Sequence, residues 1–146
     1  MKKFFNEVKK MKDMWNLIQL LFAAVGGWFG WFLGGWDGTI MALVLFITID
    51  YMTGIMCAIS DKSLSSEIGF NGIFRKVVIL MLVGVGALMD RYIIGNGEIL
   101  RTAVIFYYLS NEGISILENA AHLGLPVPEK LKSVLEQLKD DEDEEG

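Results

Sequence analysis

A single carboxylate inside a long apolar run constrains this chain more than any other feature. The run extends from Thr39 to Ile59, and Asp50 is its only charged residue. As a helix rising about 1.5 Å per residue, it would span roughly 30 Å, the thickness of the hydrocarbon core of a bilayer. A carboxylate at that depth costs about 2.5 to 3.5 kcal/mol, so it faces a protein partner or water and not lipid. The alternative, a buried helix of a soluble protein with a paired Asp50, is disfavoured because the neighbouring segments are as apolar.

Composition favours a membrane domain and argues against an enzyme. Hydrophobic residues make up 53% of the 146 residues and charged residues 21%, and the charges are concentrated towards the ends. The net charge of −5 arises from the tail 140–145, DDEDEE, and no basic patch spaced for nucleic acid is visible. Cys57 and His122 are the only cysteine and histidine, and no phosphate-binding or metalloprotease motif occurs. We therefore expect no catalytic site, no metal, no cofactor and no nucleic-acid partner.

Four apolar segments predict an all-α, polytopic membrane protein with three to four transmembrane helices. The predicted spans are residues 17–35, 39–59, 76–94 and 99–123, within a membrane domain of residues 17–124. In the three-span alternative, either the first or the fourth helix lies on the membrane surface. The polar stretch 60–74 is expected to be a turn-rich loop along that surface.

Amphipathic helices are predicted at both ends of the chain. Residues 1–16 combine five lysines with apolar residues at helical spacing, which suits a helix lying on an anionic membrane surface. Residues 125–146 are predicted to form a short amphipathic helix at 129–139, followed by an acidic tail that stays solvated. Basic residues also predict the orientation of the spans. Eleven of the 13 fall in the first segment, the loop 60–76 or the tail, which places both termini in the cytoplasm.

Small residues on two predicted spans indicate faces for helix packing. Gly26, Gly30 and Gly34 recur at a spacing of four in the first span, which would place them on one face of a helix. In the second span, Gly54 lies one turn from Asp50, so the carboxylate shares a stripe with small residues. We expect both stripes to face protein.

A polar stripe on the fourth predicted helix suggests a path for water. Its members are Asn111, Glu112, Ser115, Glu118, Asn119 and His122. Such a stripe can face water in a pore, face another polar helix, or belong to a helix lying flat on the surface. Apart from the histidine, we expect these residues and Asp50 to become buried together or to line an aqueous lumen after assembly. The rival explanations are a pair between Asp50 and Arg101 within one subunit and a protonated Asp50.

Several short motifs occur in a fixed order along the middle of the chain. They are Ile49-Asp50-Tyr51-Met52-Thr53-Gly54, Lys62-Ser63-Leu64-Ser65-Ser66, Gly69, Gly72, Lys76, Leu88, Asp90-Arg91, Asn111-Glu112, Ser115-Ile116, Glu118-Asn119, Gly124, Pro126 and Pro128. Over about residues 39 to 132, this ordered set resembles the phage-lysis and toxin-secretion holins, which include the clostridial toxin-secretion holin.

The resemblance implies a small homo-oligomeric protein of the bacterial inner membrane that opens a lesion at a set time. Its partners would be further copies of itself and the lipid bilayer, and a murein-degrading endolysin or a large toxin would be the released cargo. Two other functions remain open: a small proton-coupled transporter with Asp50 or Glu112 as the proton site, and a non-conducting accessory subunit. Flux that depends on pH would indicate the transporter, whereas non-selective leakage of large solutes would indicate the pore.

Overall fold

The structure is a computed structural model that describes residues 1–95 and 97–145, with the side chains of all of these except residues 139 and 141–145. Its elements are α1 (Lys2–Phe32), α2 (Gly38–Ser60), α3 (Ser66–Met89), a π-helix (Asp90–Ile94), α4 (Ile99–His122) and α5 (Glu129–Glu145). The described residues contain no strand, which confirms the all-α prediction. Two helical stretches, Gly38–Ser60 and Ser66–Ile94, are long and apolar enough to cross a membrane.

Helices α2, α3 and α4 form the packed part of the molecule. Its core consists of the buried residues Leu33, Ile40, Leu43, Ile47, Ile79, Val83 and Ile105. Helix α4 packs extensively on α2 and also on α3, whereas α2 and α3 touch each other little. The approach of α3 to α4 depends on Gly86, because a Cβ there would lie 3.1 to 3.2 Å from the backbone of Arg101.

Helix α1 contains two segments that were predicted from the sequence to be separate elements. The basic segment 1–16 and the predicted span 17–35 form one continuous helix from Lys2 to Phe32. Almost every side chain between residues 1 and 28 is exposed, so α1 joins the bundle only through its last turn. There Phe32 fills the space left by Gly84, where a Cβ would lie 2.1 Å from the aromatic ring.

The glycine face predicted for the first span is wrong because α1 ends before Gly34. The N–H of Gly34 donates to the carbonyl of Trp31 at 3.1 Å and that of Gly35 donates to Gly30 at 2.7 Å, which is the Schellman pattern of a helix C-terminus. Both closing glycines have positive φ, +82° and +109°. Gly30 packs against the indole of Trp36, whereas a Cβ on Gly26 would point into open space, with no packing neighbour within 4 Å. The three glycines therefore do not share one helical face.

Helix α3 begins earlier than predicted, since residues 66–74 were expected to lie in a loop. Ser65 caps the helix by accepting a hydrogen bond from the N–H of Ile68 at 3.2 Å, and Ser66–Met89 is helical. Gly69 and Gly72 make room for Tyr51 of α2. The tyrosine Oη donates to the carbonyl of Gly69 at 3.3 Å, and a Cβ on Gly72 would lie 3.0 Å from the ring. These glycines thus serve helix packing and not a turn.

Helix α5 is longer than the predicted helix 129–139. It continues through the acidic run to Glu145, while Gly146 lies outside the described residues. The helix packs along α4. Its residue Leu135 is buried against the bundle.

Candidate functional site

Three charged side chains meet where α2, α3 and α4 come together. Asp50 lies at the middle of the 23-residue α2, and Lys76 and Glu112 lie near the middles of the 24-residue helices α3 and α4. The ammonium group of Lys76 donates to both carboxylates, one oxygen of each. Asp50 and Glu112 are only 8% and 7% exposed. If the helices cross a membrane, this cluster therefore lies far from either surface.

Asn119 completes the environment of Asp50. Its amide Nδ2 donates to Asp50 Oδ1 at 3.2 Å and to Thr53 Oγ1 at 2.9 Å. Thr53 in turn donates to the carbonyl of Ile49, one turn earlier, at 2.9 Å. Each carboxylate thus receives a charged donor, and Asp50 also receives a neutral one. Among the described residues, no buried side-chain nitrogen or oxygen lacks a hydrogen-bond partner.

A cavity of about 750 Å³ opens beside the charged cluster. Its polar lining consists of Asp50, Tyr51, Arg75, Lys76, Tyr108, Asn111, Glu112, Ser115 and Asn119. This volume is large enough for many water molecules, and its walls offer them donors and acceptors. The cluster carries two carboxylates and one ammonium, so it has a net charge of −1 when all three are ionised. The arrangement can hold water or small polar solutes next to a buried charge.

The structure brings together most, but not all, of the predicted polar residues. Glu112 and Asn119 meet Asp50 in the cluster, and Asn111 and Ser115 line the cavity. Glu118 is exposed and is not part of the cavity lining. His122 instead contacts Asp61 at 2.9 Å, between the ends of α4 and α2.

The packing residue predicted on the second span faces the fourth helix. A Cβ on Gly54 would lie 3.9 Å from the amide nitrogen of Asn119, which is an ordinary van der Waals contact. Gly54 also lines the cavity.

Sequence reasoning missed Lys76, which it assigned to the cytoplasmic loop as a topology signal. One signal could have identified it. Gly69, Gly72 and Lys76 follow each other at spacings of three and four, so they share a helical face whose small residues admit a neighbouring helix. A basic residue on such a face points towards a partner and away from lipid.

The proposed pairing of Asp50 with Arg101 is wrong because Arg101 is bound elsewhere. Arg101 is 1% exposed, and its guanidinium donates to Leu33 O at 2.6 Å, to Gly35 O at 3.0 Å and to Asp37 Oδ2 at 2.7 Å. Arg101, which belongs to α4, therefore connects that helix to the turn between α1 and α2. The hydrogen bond from Arg101 holds the pKa of Asp37 well below its usual range.

Asp90 stabilises the beginning of α4 from the preceding π-helix. Its two carboxylate oxygens accept the backbone N–H groups of Leu100 at 3.0 Å and Arg101 at 2.8 Å. These groups belong to the first turn of α4, which has no intrahelical acceptors for them. In the described part of the chain, no group of three or more His, Cys, Asp or Glu side chains is arranged to hold a metal ion.

Comparison with known proteins finds a family model and several relatives that cover most of the chain. A model of the bacteriophage holin family matches residues 27–140. An uncharacterized 14.9 kDa protein of Clostridium perfringens is 41% identical over 128 residues, which cover 88% of this chain and 97% of the relative. The protein named "Probable holin" of Bacillus phage phi105 is 35% identical over 104 residues, covering 71% of this chain and 76% of the phage protein. No solved structure matches the chain. This chain belongs to the bacteriophage holin family.

Proposed function

We propose that this protein assembles with copies of itself in the bacterial cytoplasmic membrane and opens a lesion through which endolysin or a large toxin passes. Membership of the bacteriophage holin family, which is not an enzyme family, and the name of the phage phi105 relative support a holin-like role. The observation that carries the proposal is the position of Lys76 between Asp50 and Glu112, midway along three helices. We further propose that both termini lie in the cytoplasm.

The energetic cost of the buried charged cluster can favour the assembly of several subunits. In an isolated subunit, the three charges satisfy one another, but desolvation of buried charges costs several kcal/mol per ion and is only partly repaid by pairing. If neighbouring subunits enclose water next to the cavity, the same side chains become hydrated and this cost falls. The residues that are costly in a monomer would then favour an open, water-filled oligomer.

The packing of the helices suggests where water would enter. Helices α2 and α3 touch little, and the cavity lies between them and α4. Separation of α3 from α2 would expose Asp50, Asn111, Glu112, Ser115 and Asn119 along one side of the opening. We therefore propose these residues as the lining of the lumen, and Glu118, which does not line the cavity, is not among them.

The test uses purified protein in liposomes that contain fluorescent dextrans of increasing size. We expect the parent protein to release large dextrans and Glu112→Leu to insert but release them at least tenfold more slowly, because the lining loses one of its two carboxylates and the remaining Asp50 and Lys76 neutralise each other. Glu118→Leu is the matched control on an exposed position of the same helix and should leak like the parent. In cells, the parent expressed with a cytoplasmic murein hydrolase should cause lysis. Equal leakage by the parent and by Glu112→Leu would contradict the proposed lumen.

A small proton-coupled transporter is the second candidate, and the shared lysine favours it. Two carboxylates that compete for Lys76 beside a polar cavity could exchange a proton with a bound solute. Such a protein would show saturable flux of one small solute that follows the pH gradient. Release of dextrans regardless of their chemistry would reject it in favour of the pore.

A further inference from the structure

Helix α5 covers a notch on the bundle that lies at the same depth as the middle of α2. The side chain of Leu135 is 7% exposed. A Cβ on Gly113 of α4 would lie 2.9 Å from both methyl groups of Leu135 and 3.1 Å from the ring of Phe46. The absence of a side chain at Gly113 therefore creates the space that Leu135 fills, with Phe46 of α2 as the opposite wall.

The covered position conflicts with a bilayer around the bundle. Phe46 belongs to the middle of Gly38–Ser60, one of the two stretches able to cross a membrane. The outer surface of α5 carries the exposed charged residues Glu129, Lys130, Lys132, Glu136 and Asp140. In hydrocarbon, several such charges cost more than the burial of one leucine contributes. Helix α5 therefore cannot stay on the notch while that face is turned towards lipid.

One apolar helical segment in the described residues packs along no other helix. It is the part of α1 before its last turn, where Leu20, Phe22 and Val25 are 66%, 76% and 65% exposed. The beginning of α1 carries five lysines, and the run 140–145 at the end of α5 carries six carboxylates. Once α5 leaves the bundle, its acidic end and the basic end of α1 from another copy have complementary charges.

We infer that α5 is a releasable cover and that the notch formed by Gly113 and Phe46 receives α1 of a second copy of this chain during assembly. This inference rests on the proposed function, because it assigns the contact through which subunits join. An antiparallel arrangement of α1 against the neighbouring α4 would place the lysines of α1 at the end of α4 from which α5 departs. Release of α5 would then be the event that permits assembly.

The first test locks the cover in place. In a Cys57→Ser background, Phe46→Cys and Leu135→Cys introduce two thiols that face the same notch and can be joined by a short reducible crosslinker. We expect the locked protein to insert into liposomes but to form at least tenfold less crosslinked oligomer, and reduction should restore assembly. Assembly of the locked protein to the same extent as the reduced protein would overturn the inference.

The second test releases the cover without a crosslink. Leu135→Asp should weaken the contact and increase oligomer yield at low protein density several-fold, whereas Val134→Asp alters a position that is already 46% exposed and should match the parent. If the two variants behave alike, α5 does not control assembly.

The third test identifies the occupant of the notch. Mixtures of Phe46→Cys copies and Val25→Cys copies, both in the Cys57→Ser background, should yield mixed disulfide dimers. Dimers formed only between two Phe46→Cys copies would overturn α1 as the occupant. These crosslinking measurements do not depend on leakage. A parent protein that assembles through this contact but releases no dextran would therefore reject the proposed function and leave the inference intact.

Discussion

Individual residues decide whether charge can be buried inside this bundle. Lys76 neutralises one of two carboxylates and donates to both, so its removal would leave Asp50 and Glu112 facing each other without a cation. Breaking a buried ion pair by removing one partner typically costs about 3 to 5 kcal/mol, because an uncompensated charge remains. Lys76 is therefore the residue on which the other two depend.

We predict that Lys76→Met destabilises the folded protein by about 3 to 5 kcal/mol, measured by denaturant unfolding in detergent micelles. Adding Asp50→Asn and Glu112→Gln to the same chain should recover much of this loss, since the neutral groups no longer repel each other. Arg75→Met, at the exposed neighbouring position, is the control and should change stability little. Additive effects of the three cluster substitutions would show that they do not interact.

The Asp37–Arg101 contact predicts a dependence of stability on pH. The pKa of Asp37 is lower in the folded chain than in the unfolded chain, where it is near 3.9. Its contribution is therefore fully present above the unfolded pKa and is lost as pH falls through the folded pKa. The side chain is 45% exposed, so solvent screens part of the effect.

We expect Asp37→Asn to lower the Tm at pH 6 and to approach the Tm of the parent as the pH falls towards 2. Thermal unfolding followed by circular dichroism at several pH values checks this. Asp13→Asn, on the exposed part of α1, should leave the pH profile unchanged. A difference between Asp37→Asn and the parent that is the same at every pH would contradict the assigned ion pair.

At the scale of elements, the end of α1 is defined by backbone conformation and the beginning of α4 by a side chain. Gly34 and Gly35 both have positive φ, but their surroundings differ. A Cβ on Gly34 would lie 2.7 Å from the Arg101 side chain, whereas a Cβ on Gly35 would have no packing neighbour within 4 Å. Gly34 is therefore needed both for its left-handed backbone and for the close packing of Arg101. Gly35 is needed for its backbone conformation alone.

This difference predicts unequal effects of two similar substitutions. Gly35→Ala should cost about 1 to 2 kcal/mol from the left-handed backbone. Gly34→Ala should cost clearly more, because it also displaces Arg101 from its bonds to Leu33 and Asp37. Denaturant unfolding of the two variants tests this. Equal losses of stability in the two variants would mean that the Arg101 guanidinium moves away from Gly34 at no cost in free energy.

At the scale of the whole molecule, the distribution of basic residues predicts the orientation of the helices in a membrane. Helices α2 and α3 pass the criteria of length and apolarity for crossing a membrane. Most of the 13 basic residues lie at the N-terminus, near the α2–α3 connection or on α5, which favours one side for all three.

We predict that single cysteines placed at Lys3, Lys62 and Glu129 in a Cys57→Ser background are protected from an impermeant thiol reagent in intact cells and become labelled after lysis. A cysteine at Gly97 should be labelled in intact cells, because it follows the helical stretch Ser66–Ile94. Labelling of Glu129→Cys in intact cells would contradict cytoplasmic placement of the tail and favour an arrangement with an odd number of spans.

The amino-acid sequence by itself determined the helices and the chemistry of the site in part. Periodicity and apolarity are local properties, so they predicted α2, α4 and the all-α class. They also selected Asp50, Glu112 and Asn119 as residues that need polar partners. Helix ends were less predictable, since Ser65 overrode the polar composition of residues 66–74 by capping a helix there.

Only the tertiary structure decided which charges meet. Lys76 lies 26 residues from Asp50 and 36 from Glu112, and Arg101 lies 64 from Asp37. Such pairs depend on which helix faces come together, and sequence spacing indicates which residues share a face but not which face of another helix they meet. The glycines illustrate the same limit. A spacing of four predicts one face only while the helix continues, and α1 ends before Gly34, whose left-handed conformation opens the turn in which Leu33, Gly35 and Asp37 bind the distant Arg101.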